Sequence, residues 1–365
     1  MSVQASQCVI LGIESSCDET AASVVVGARE VKSNVIATQF ELHEEYGGVV
    51  PEIASRAHIE RILPVVEEAL EQAGIADPRD ELDAVAVGHR PGLIGSLIVG
   101  VSAGKALAWG WEKPIIGVDH IMAHLYAGSL DNEEPPDYPA LGLVVSGGHT
   151  TLCLIDDPLR IRVLGRTIDD AIGEAYDKAA MMLGLGFPGG RKVDERAALG
   201  DESAYDFPIS RLGRDSLDFS FSGLKTSLLY TVRGQPTGKG RDKYFTRDID
   251  DHSETDINNL CASFQRAAIG AVMLKLNRAL SYINEMSGND RVLRSLIIGG
   301  GVSANSRLRH DLHKFAENHN LTLYLPKMAY CLDNGAMIAG LGGIKYERGK
   351  MDDWSLSPSA LGTLR

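Results

Sequence analysis

Four apolar runs that end in glycine or small polar residues constrain the fold of this chain more than any other feature. They lie at residues 8–16, 81–92, 139–155 and 291–305. Apolar runs bounded by turn residues are typical of buried strands. Helical patterns separate them, at residues 54–74, 95–111 and 257–285. This alternation of strands and helices predicts an α/β architecture with mixed sheets.

The organisation of the chain is twofold. A strand followed by a polar turn at residues 8–20 is echoed at residues 141–154, and more strand follows each of them, as in two β-hairpins. We therefore expect two lobes with a cleft between them, an N-terminal lobe at residues 1–138 and a C-terminal lobe at residues 139–334. A last helix, residues 335–365, is expected to cross back to the first lobe.

A segment rich in charge, glycine, serine and aspartate interrupts the second lobe. It spans about residues 165–260 and predicts a helical and loop insertion. Within it, GQPTGKGRDK at residues 234–243 is typical of an exposed, flexible turn.

The composition limits the classes of protein to consider. No run approaches the roughly 20 apolar residues of a membrane span, and the first residues lack a signal-type pattern, which favours a cytoplasmic protein without membrane contact. The five cysteines are scattered without CxxC spacing, so free thiols are expected. The net charge of −13 argues against a chain that holds nucleic acid without help, because phosphate contact needs Lys and Arg.

A pair of histidines in DHIMAHLYA is the first candidate for chemistry. His120 and His124 are four residues apart, so on a helix their Cβ atoms lie about 5 to 6 Å apart on one face and both imidazoles can reach one divalent metal. Asp333 in CLDNGAMIAG is a candidate third ligand, with a helix N-cap as the alternative. His310 and His313 have helical spacing too, but their polar surroundings indicate a solvated surface.

Three turn motifs indicate an anionic ligand. IESSCDET, residues 13–20, clusters hydroxyls and carboxylates that can hold a phosphate or accept a proton, or form a solvated turn. SGGHT, residues 146–150, lets a backbone approach a ligand closely, although a plain turn has the same pattern. GGGVSANSRLR, residues 299–309, follows a strand and starts a helix. It is neither GxGxxG nor GxxxxGK[ST], so an adenosine site of another kind stays open.

Two aspartates flank the turn FPGG. Asp177 lies on a helix and Asp194 lies just beyond the turn, where carboxylates can accept bonds from ribose hydroxyls or cap helices.

Taken in order, these motifs resemble one family over residues 8–345. The motifs are IESSCDET, GGVVPEIASRAH, DHIMAHLYA, LVVSGGHT, GEAYDKAAMMLGLGFPGG, DFSFSGLKT, GGGVSAN and DNGAMIA. The chain is similar to the TsaD/Kae1/Qri7 family of tRNA N6-adenosine threonylcarbamoyltransferases, formerly called O-sialoglycoprotein endopeptidases. Its motifs are more similar to the bacterial and mitochondrial branches than to the archaeal one. The resemblance implies a two-lobed, actin-like ATPase (ASKHA) fold with a nucleotide in the cleft.

The resemblance assigns roles to residues at matching positions. It implies that His120, His124 and Asp333 hold one divalent metal, with Fe²⁺ expected and Zn²⁺ as the alternative. Asp18 and Glu19, with Glu14, match the acidic turn near the reacting group and are the candidate catalytic carboxylates. The residues that match the substrate and adenylate contacts are Val144, Val145, Ser146, Gly147, Gly148, Asp177, Gly190, Asp194 and Asn305.

The implied activity is transfer of the threonylcarbamoyl group from threonylcarbamoyl-AMP to N6 of adenosine 37 in tRNAs that read ANN codons, and ATP or ADP can occupy the same cleft. The implied partners are tRNA with, in bacteria, a TsaB-like paralogous subunit and a TsaE-like ATPase, or a second copy of the chain.

One loop departs from the family. Where the family usually has Thr-x-Gly-Pro-Gly-Leu, this chain has Gly88 for the threonine and Arg90 for the first glycine. Arginine at a glycine position removes backbone freedom and adds a cation, so the turn is expected to differ.

Three other functions share part of this pattern. A metalloprotease of the HExxH type needs a glutamate after the first histidine, and Ile121 stands there instead. A small-molecule kinase of the same fold would not need the two histidines. A non-catalytic scaffold of a tRNA-modifying assembly would keep the metal site without turnover.

Overall fold

The structure, a computed structural model, describes residues 7–238, 244–287 and 292–364. Its strands within these ranges are β1 Val9–Glu14, β2 Glu19–Val26, β3 Glu30–Val31, β4 Val35–Thr38, β5 Ala84–Arg90, β6 Ile115–Asp119, β7 Ala140–Val145, β8 Thr150–Asp157, β9 Arg160–Arg166, β10 Ser295–Gly299 and β11 Thr322–Tyr324. Its α-helices are α1 Phe40–Glu44, α2 Pro51–Ala73, α3 Pro78–Glu81, α4 Ile94–Gly110, α5 His120–Tyr126, α6 Ile172–Met182, α7 Gly189–Ala197, α8 Ser222–Arg233, α9 Glu254–Ser287, α10 Ser306–Asn318 and α11 Gly335–Glu347.

Two mixed sheets organise the chain. The first has the strand order β3-β2-β1-β5-β6, with β4 also paired to β2, and the second has the order β11-β10-β7-β8-β9. In each sheet an antiparallel hairpin, β1 with β2 or β7 with β8, lies beside a parallel strand, β5 or β10. The four apolar runs form β1, β5, the β7–β8 hairpin and β10, so the predicted mixed sheets and paired hairpins are confirmed.

Helix α5 lies where the two sheets approach each other. It follows β6 of the first sheet directly and packs against β7 and β10 of the second. The approach to β10 is close, because a Cβ atom at Gly299 would lie 2.0 Å from the carbonyl oxygen of His124. Glycine at the end of β10 therefore allows the helix that carries both histidines to sit against this strand.

Helix α11 crosses back to the first sheet, as expected. It packs on β1, β2, β5 and β6, and a Cβ atom at Gly12 would lie 2.3 Å from the carbonyl oxygen of Gly335. The predicted length of this helix, residues 335–365, was wrong. It ends at Glu347, and Gly349 then adopts a left-handed conformation with φ of 66°, which takes the chain out of the helical path.

The segment at 165–260 contains α6, α7, α8 and the start of α9, joined by long loops. The predicted turn at residues 234–243 is described only as far as Gly238, and residues 239–243 lie outside the described residues.

All five cysteines are free thiols, as predicted. In the described part of the chain no helix is both long and apolar enough to cross a membrane.

Candidate functional site

The two histidines and Asp333 meet at one point. His120 and His124 occupy the first two turns of α5, and Asp333 lies in the turn before α11. The Oδ1 atom of Asp333 is 3.6 Å from Nε2 of His120 and 3.1 Å from Nε2 of His124. One potential ligand atom from each residue falls within 4.8 Å of the others. The structure thus brings Asp333 together with two histidines that precede it by more than 200 positions in the sequence.

Asp333 does not cap the helix that follows it. The cap of α11 is Asn334, whose side-chain oxygen accepts a hydrogen bond of 2.9 Å from the backbone N–H of Met337. The helix-cap alternative for Asp333 was therefore wrong, and its carboxylate is left to face the imidazoles.

The donor set fits a divalent metal. Both ring nitrogens of His124 are buried and have no hydrogen-bond partner among the described residues, since the 3.1 Å approach to Asp333 lacks hydrogen-bond geometry. A buried polar group without a partner is costly, and coordination would satisfy it. Two imidazoles and one carboxylate are a combination that suits iron or zinc.

Glu14 orients the first of the imidazoles. Its Oε2 atom lies 3.1 Å from Nδ1 of His120, and its Oε1 atom accepts a 2.5 Å hydrogen bond from the backbone N–H of Ser16. The hydroxyl of Ser16 lies 3.1 Å from the same Nδ1. A carboxylate on the outer nitrogen of a histidine holds its inner nitrogen toward a metal. This residue, matched to the acidic turn, thus supports the candidate ligand.

The charges of these neighbouring side chains shift one another's pKa values. Burial lowers the pKa of His120, but the carboxylates of Asp333 and Glu14 outweigh it and raise that pKa to about 9. Burial and the neighbouring His120 lower the pKa of His124. Burial raises the pKa of Asp333, but His120 and His124 together bring it well below its usual value. Burial, followed by His120 and His124, lowers the pKa of the nearby His149 to about 4.

The candidate catalytic carboxylates, Asp18 and Glu19, are both buried beside this site. Burial, followed by the charges of Asp18 and Asp333, raises the pKa of Glu19 well above its usual value. The raised pKa favours the protonated form of the Glu19 carboxyl, and its position next to Asp18 places two carboxyl groups at this point of the chain.

The SGGHT loop opens toward solvent at its two glycines. Gly147 and Gly148 are exposed, and a Cβ atom at either position would meet nothing within 4 Å. The side chain of Ser146 accepts a 3.1 Å bond from the backbone N–H of His149, which holds the turn. Val144 and Val145 lie in the strand before it with side chains in the apolar core, so only their backbones are available to a ligand.

The glycine run at 299–301 lies against the backbone of other elements at two of its three positions, and Gly301 lies beside the side chain of Leu332. Gly299 meets the His124 carbonyl as described above. Gly300 has a φ of 94°, and a Cβ atom there would lie 2.4 Å from the carbonyl oxygen of Val145. Gly299 and Gly300 are required by contacts between backbones, whereas Gly147 and Gly148 border open space.

Three of the residues matched to adenylate contacts are held by protein hydrogen bonds. Asp177 accepts 2.7 Å from the backbone N–H of Gly189. Asp194 accepts from both the backbone N–H and the hydroxyl of Ser306, at 2.9 and 2.8 Å. Asn305 caps α10 through a 2.9 Å bond from the backbone N–H of Leu308. Their roles toward a ligand stay predictions, as does that of Gly190, where a Cβ atom would meet open space.

Gln265 on α9 joins two of them and was missed in the sequence. Its Nε2 donates 3.0 Å to Asp194 Oδ1, and its Oε1 accepts 2.8 Å from Asn305 Nδ2 and 3.2 Å from the hydroxyl of Tyr176. The side chain is buried. The available signal was an amide within the apolar pattern of α9, because a polar group on a buried helix face needs partners.

The loop that departs from the family lies beside Glu14 and the start of α5. A Cβ atom at Gly88 would come within 2.8 Å of Glu14 Oε2. Arg90 Nε lies 3.8 Å from Oδ2 of Asp119, the residue that caps α5. The two departures from the family therefore lie close to His120. Gly88 lies beside Glu14, which contacts His120 in space, and Arg90 lies beside Asp119, which precedes His120 in the sequence.

The remaining candidates lie where the sequence indicates. His310 and His313 are exposed on α10, so their prediction as solvated surface residues is confirmed.

Comparison with known proteins gives a consistent result. Residues 30–340 match the model of the TsaD family, described as tRNA N6-adenosine threonylcarbamoyltransferase. A protein of that name from Rhodopirellula baltica is 46% identical over 339 residues, which cover 92% of each chain. Another from Symbiobacterium thermophilum is 47% identical over 352 residues, which cover 96% of each.

Among solved structures, HypF of T. kodakarensis has a TM-score of 0.57 and 14% identity, over 96% of this chain and 49% of that one. At this identity the likeness concerns the fold alone. The predicted α/β, two-lobed, actin-like (ASKHA) fold is confirmed.

Proposed function

The chain belongs to the family of tRNA N6-adenosine threonylcarbamoyltransferases, and from that premise we propose that it transfers threonylcarbamoyl from threonylcarbamoyl-AMP to N6 of adenosine 37 in tRNAs that read ANN codons. The observation that carries the proposal is the convergence of His120, His124 and Asp333 beside the open SGGHT turn. This arrangement supports the proposal, because three potential metal ligands and an uncrowded backbone lie in one region of the molecule.

The metal would be held by the Nε2 atoms of His120 and His124 and by the carboxylate of Asp333. When bound, a divalent ion of this kind acts as a Lewis acid that polarises a carbonyl group and orients the substrate. Fe²⁺ is the ion proposed first and Zn²⁺ the second, because both accept a two-histidine, one-carboxylate set. Glu14 keeps the His120 ring in the orientation that this requires.

Alignment of the two substrates is the main task of the protein. The exocyclic amine of adenosine is a poor nucleophile because its lone pair is delocalised into the ring, so the rate depends on holding it at the carbamoyl carbon. In our proposal the backbone of Ser146, Gly147 and Gly148 lies against the phosphate of the adenylate. Asp177, Gly190, Asp194 and Asn305 hold its nucleoside part. The open space at Gly147, Gly148 and Gly190 supports this placement.

The transfer forms a bond between N6 and the carbamoyl carbon and breaks the bond from that carbon to the phosphate oxygen, with AMP as leaving group. The amine proton must be removed as the bond forms. We propose Asp18 or Glu19 for this role, because the two carboxyl groups are adjacent and lie beside the metal-binding residues.

The partners are proposed from the resemblance to the family. The net charge of −13 supports help from a second protein in holding tRNA, because phosphate contact needs Lys and Arg. We propose a TsaB-like paralogous subunit together with a TsaE-like ATPase, or a second copy of the chain, acting in the cytoplasm. Size measurement of the purified chain with and without each candidate would distinguish these assemblies.

The rival functions have less support. Ile121 occupies the place of the glutamate that an HExxH protease needs. A small-molecule kinase leaves the buried pair His120 and His124 without a role. A scaffold without turnover keeps the metal site, so only an activity measurement separates it from the transferase.

The deciding experiment is transfer of labelled threonine to an unmodified tRNA that reads ANN codons. The reaction contains the purified chain, separately made threonylcarbamoyl-AMP and the candidate partner subunits. We expect label on adenosine 37 with the natural chain and none with His120→Ala or Asp333→Ala. His310→Ala is the matched control, because this histidine is exposed on α10. Absence of label with every partner combination would favour the scaffold.

A further inference from the structure

Residues 352–364 form an extended segment, here called the strap, along β6 at one edge of the first sheet. At its start the backbone N–H of Asp352 donates 2.9 Å to the carbonyl of Ile115, and its carboxylate accepts 2.8 Å from the backbone N–H of Gly117. Farther along, the backbone N–H of Ser359 donates 2.9 Å to the carbonyl of His89. The strap therefore begins on β6, the strand that leads directly into α5, and then contacts β5 at His89.

Apolar contacts hold the strap at two points. Leu356 is buried in the core of the first sheet, and its Cδ1 atom would lie 2.5 Å from a Cβ atom at Gly117. Leu364 packs against the apolar cluster that contains Ile121 and Leu125 of α5. The second contact places the far end of the strap against the apolar cluster that α5 shares with β7, β8 and β10.

Thr363 makes the polar contact at this end. Its backbone N–H donates 2.9 Å to Oδ2 of Asp119, and its hydroxyl donates to the same oxygen. The other oxygen of Asp119 caps α5, accepting from the backbone N–H groups of Ile121 at 3.1 Å and Met122 at 3.3 Å. The Asp119 carboxylate is buried, so it has no competing contact with bulk water. One carboxylate thus joins the strap to the first turn of the metal helix.

The start of α5 decides where the candidate metal ligands lie. The helix has only seven residues, and His120 is the first of them. A helix this short has little stability of its own, so its position depends on its cap and its packing. Because His120 follows Asp119 directly in the chain, we expect a rotation of Asp119 to shift His120.

We propose that Thr363 is a positioning residue for the metal site, which it orients through Asp119 and the first turn of α5; this inference rests on the metal site of the proposed function. The hydroxyl and the N–H of Thr363 together restrict the Asp119 side chain to the rotamer that caps the helix. In that state both Nε2 atoms converge on Asp333.

The test is the affinity of the full chain for Zn²⁺, measured by competition with a chelating indicator, together with the melting temperature of the metal-free protein. Thr363→Val removes the hydroxyl donor and keeps the backbone donor. Loss of a group that supports a metal ligand typically weakens binding about 10- to 100-fold, and with one of two donors retained we expect a loss of about tenfold. The metal-free melting temperature should fall by no more than about 2 °C.

Two matched variants separate positioning from general stability. Thr363→Ser keeps the hydroxyl and should retain the natural affinity. Ser355→Ala removes a hydroxyl from the same strap whose bond is to Asp353, far along the strap from Asp119, and should also retain it. An unchanged affinity in Thr363→Val, or an equal loss in Thr363→Ser, would overturn the inference. A natural chain that binds no Zn²⁺ would overturn the proposed metal site and this inference together.

Discussion

The Oε2 atom of Glu14 lies 3.1 Å from Nδ1 of His120, in space that only a glycine at residue 88 leaves open. A Cβ atom at residue 88 would lie 2.8 Å from this oxygen, closer than such atoms approach without a shift. The Glu14 side chain is fully buried, so a shift must break its bond to His120 or Ser16.

We therefore predict that Gly88→Ala weakens metal binding, by about tenfold if the His120 contact is lost. Zn²⁺ competition measures the change. Gly110→Ala is the control, because a Cβ atom there meets nothing within 4 Å. Equal affinity in the two variants would show that Glu14 accommodates the extra carbon without leaving His120.

His124 should lower the free energy of unfolding of the metal-free protein. Its two ring nitrogens are buried without hydrogen bonds, so His124→Leu should raise the free energy of unfolding of the metal-free form by about 1 kcal/mol. The natural chain should gain stability when Zn²⁺ is added, because a ligand that binds only the folded state stabilises it, and the variant should not.

Denaturant unfolding with and without Zn²⁺ measures both effects. His310→Leu is the control, since this residue is exposed, and it should keep the response to metal. A variant at 124 that is still stabilised by Zn²⁺ would place the ion elsewhere.

Gln265 should affect binding of the adenylate and leave binding of the metal unchanged. Gln265→Leu removes a buried amide that holds both Asp194 and Asn305. We predict a KM for threonylcarbamoyl-AMP about tenfold higher, equivalent to about 1.4 kcal/mol, with unchanged Zn²⁺ affinity. Steady-state kinetics at saturating tRNA measures it.

Tyr176→Phe is the graded control, because it removes one of the three bonds that Gln265 makes and leaves the bonds to Asp194 and Asn305. It should change KM less than Gln265→Leu. A larger change in KM for Tyr176→Phe than for Gln265→Leu would contradict the prediction and indicate that Tyr176 is the residue that matters for adenylate binding.

Substitutions at Gly147 and Gly300 should have different effects, the first on binding of the adenylate and the second on stability of the fold. Gly147→Ala adds a carbon in open space and should leave the unfolding free energy unchanged while raising the KM for the adenylate. Gly300→Ala places a carbon 2.4 Å from the Val145 carbonyl at a φ of 94°, which should destabilise the fold by about 2 kcal/mol or more. Thermal unfolding and kinetics on both variants check the pair, and a destabilised Gly147→Ala with normal KM would contradict it.

The sequence by itself determined the elements and most of the candidate ligands. Local sequence patterns that repeat every two, three or four residues predict the strands and helices, because backbone geometry repeats over those distances. The same rule places His120 and His124 on one face of a helix. Ordered motifs along the chain were sufficient to indicate the family before any contact was known.

Other assignments depended on contacts between distant positions. The cap role of Asn334 in place of Asp333, and the protein contacts of Gly299 and Gly300, needed the packed chain. Local sequence cannot distinguish a glycine that admits a ligand from one that admits a neighbouring backbone, since both lack the same side chain.

Only the tertiary structure decided which side chains support the site. Glu14 meets His120, Gln265 meets Asp194, and Thr363 meets Asp119 across separations of 106, 71 and 244 positions. A carboxylate, an amide and a hydroxyl have no local pattern that identifies a partner so far along the chain. Their hydrogen bonds form only after the strands and helices have packed, and burial then makes each of them costly to lose.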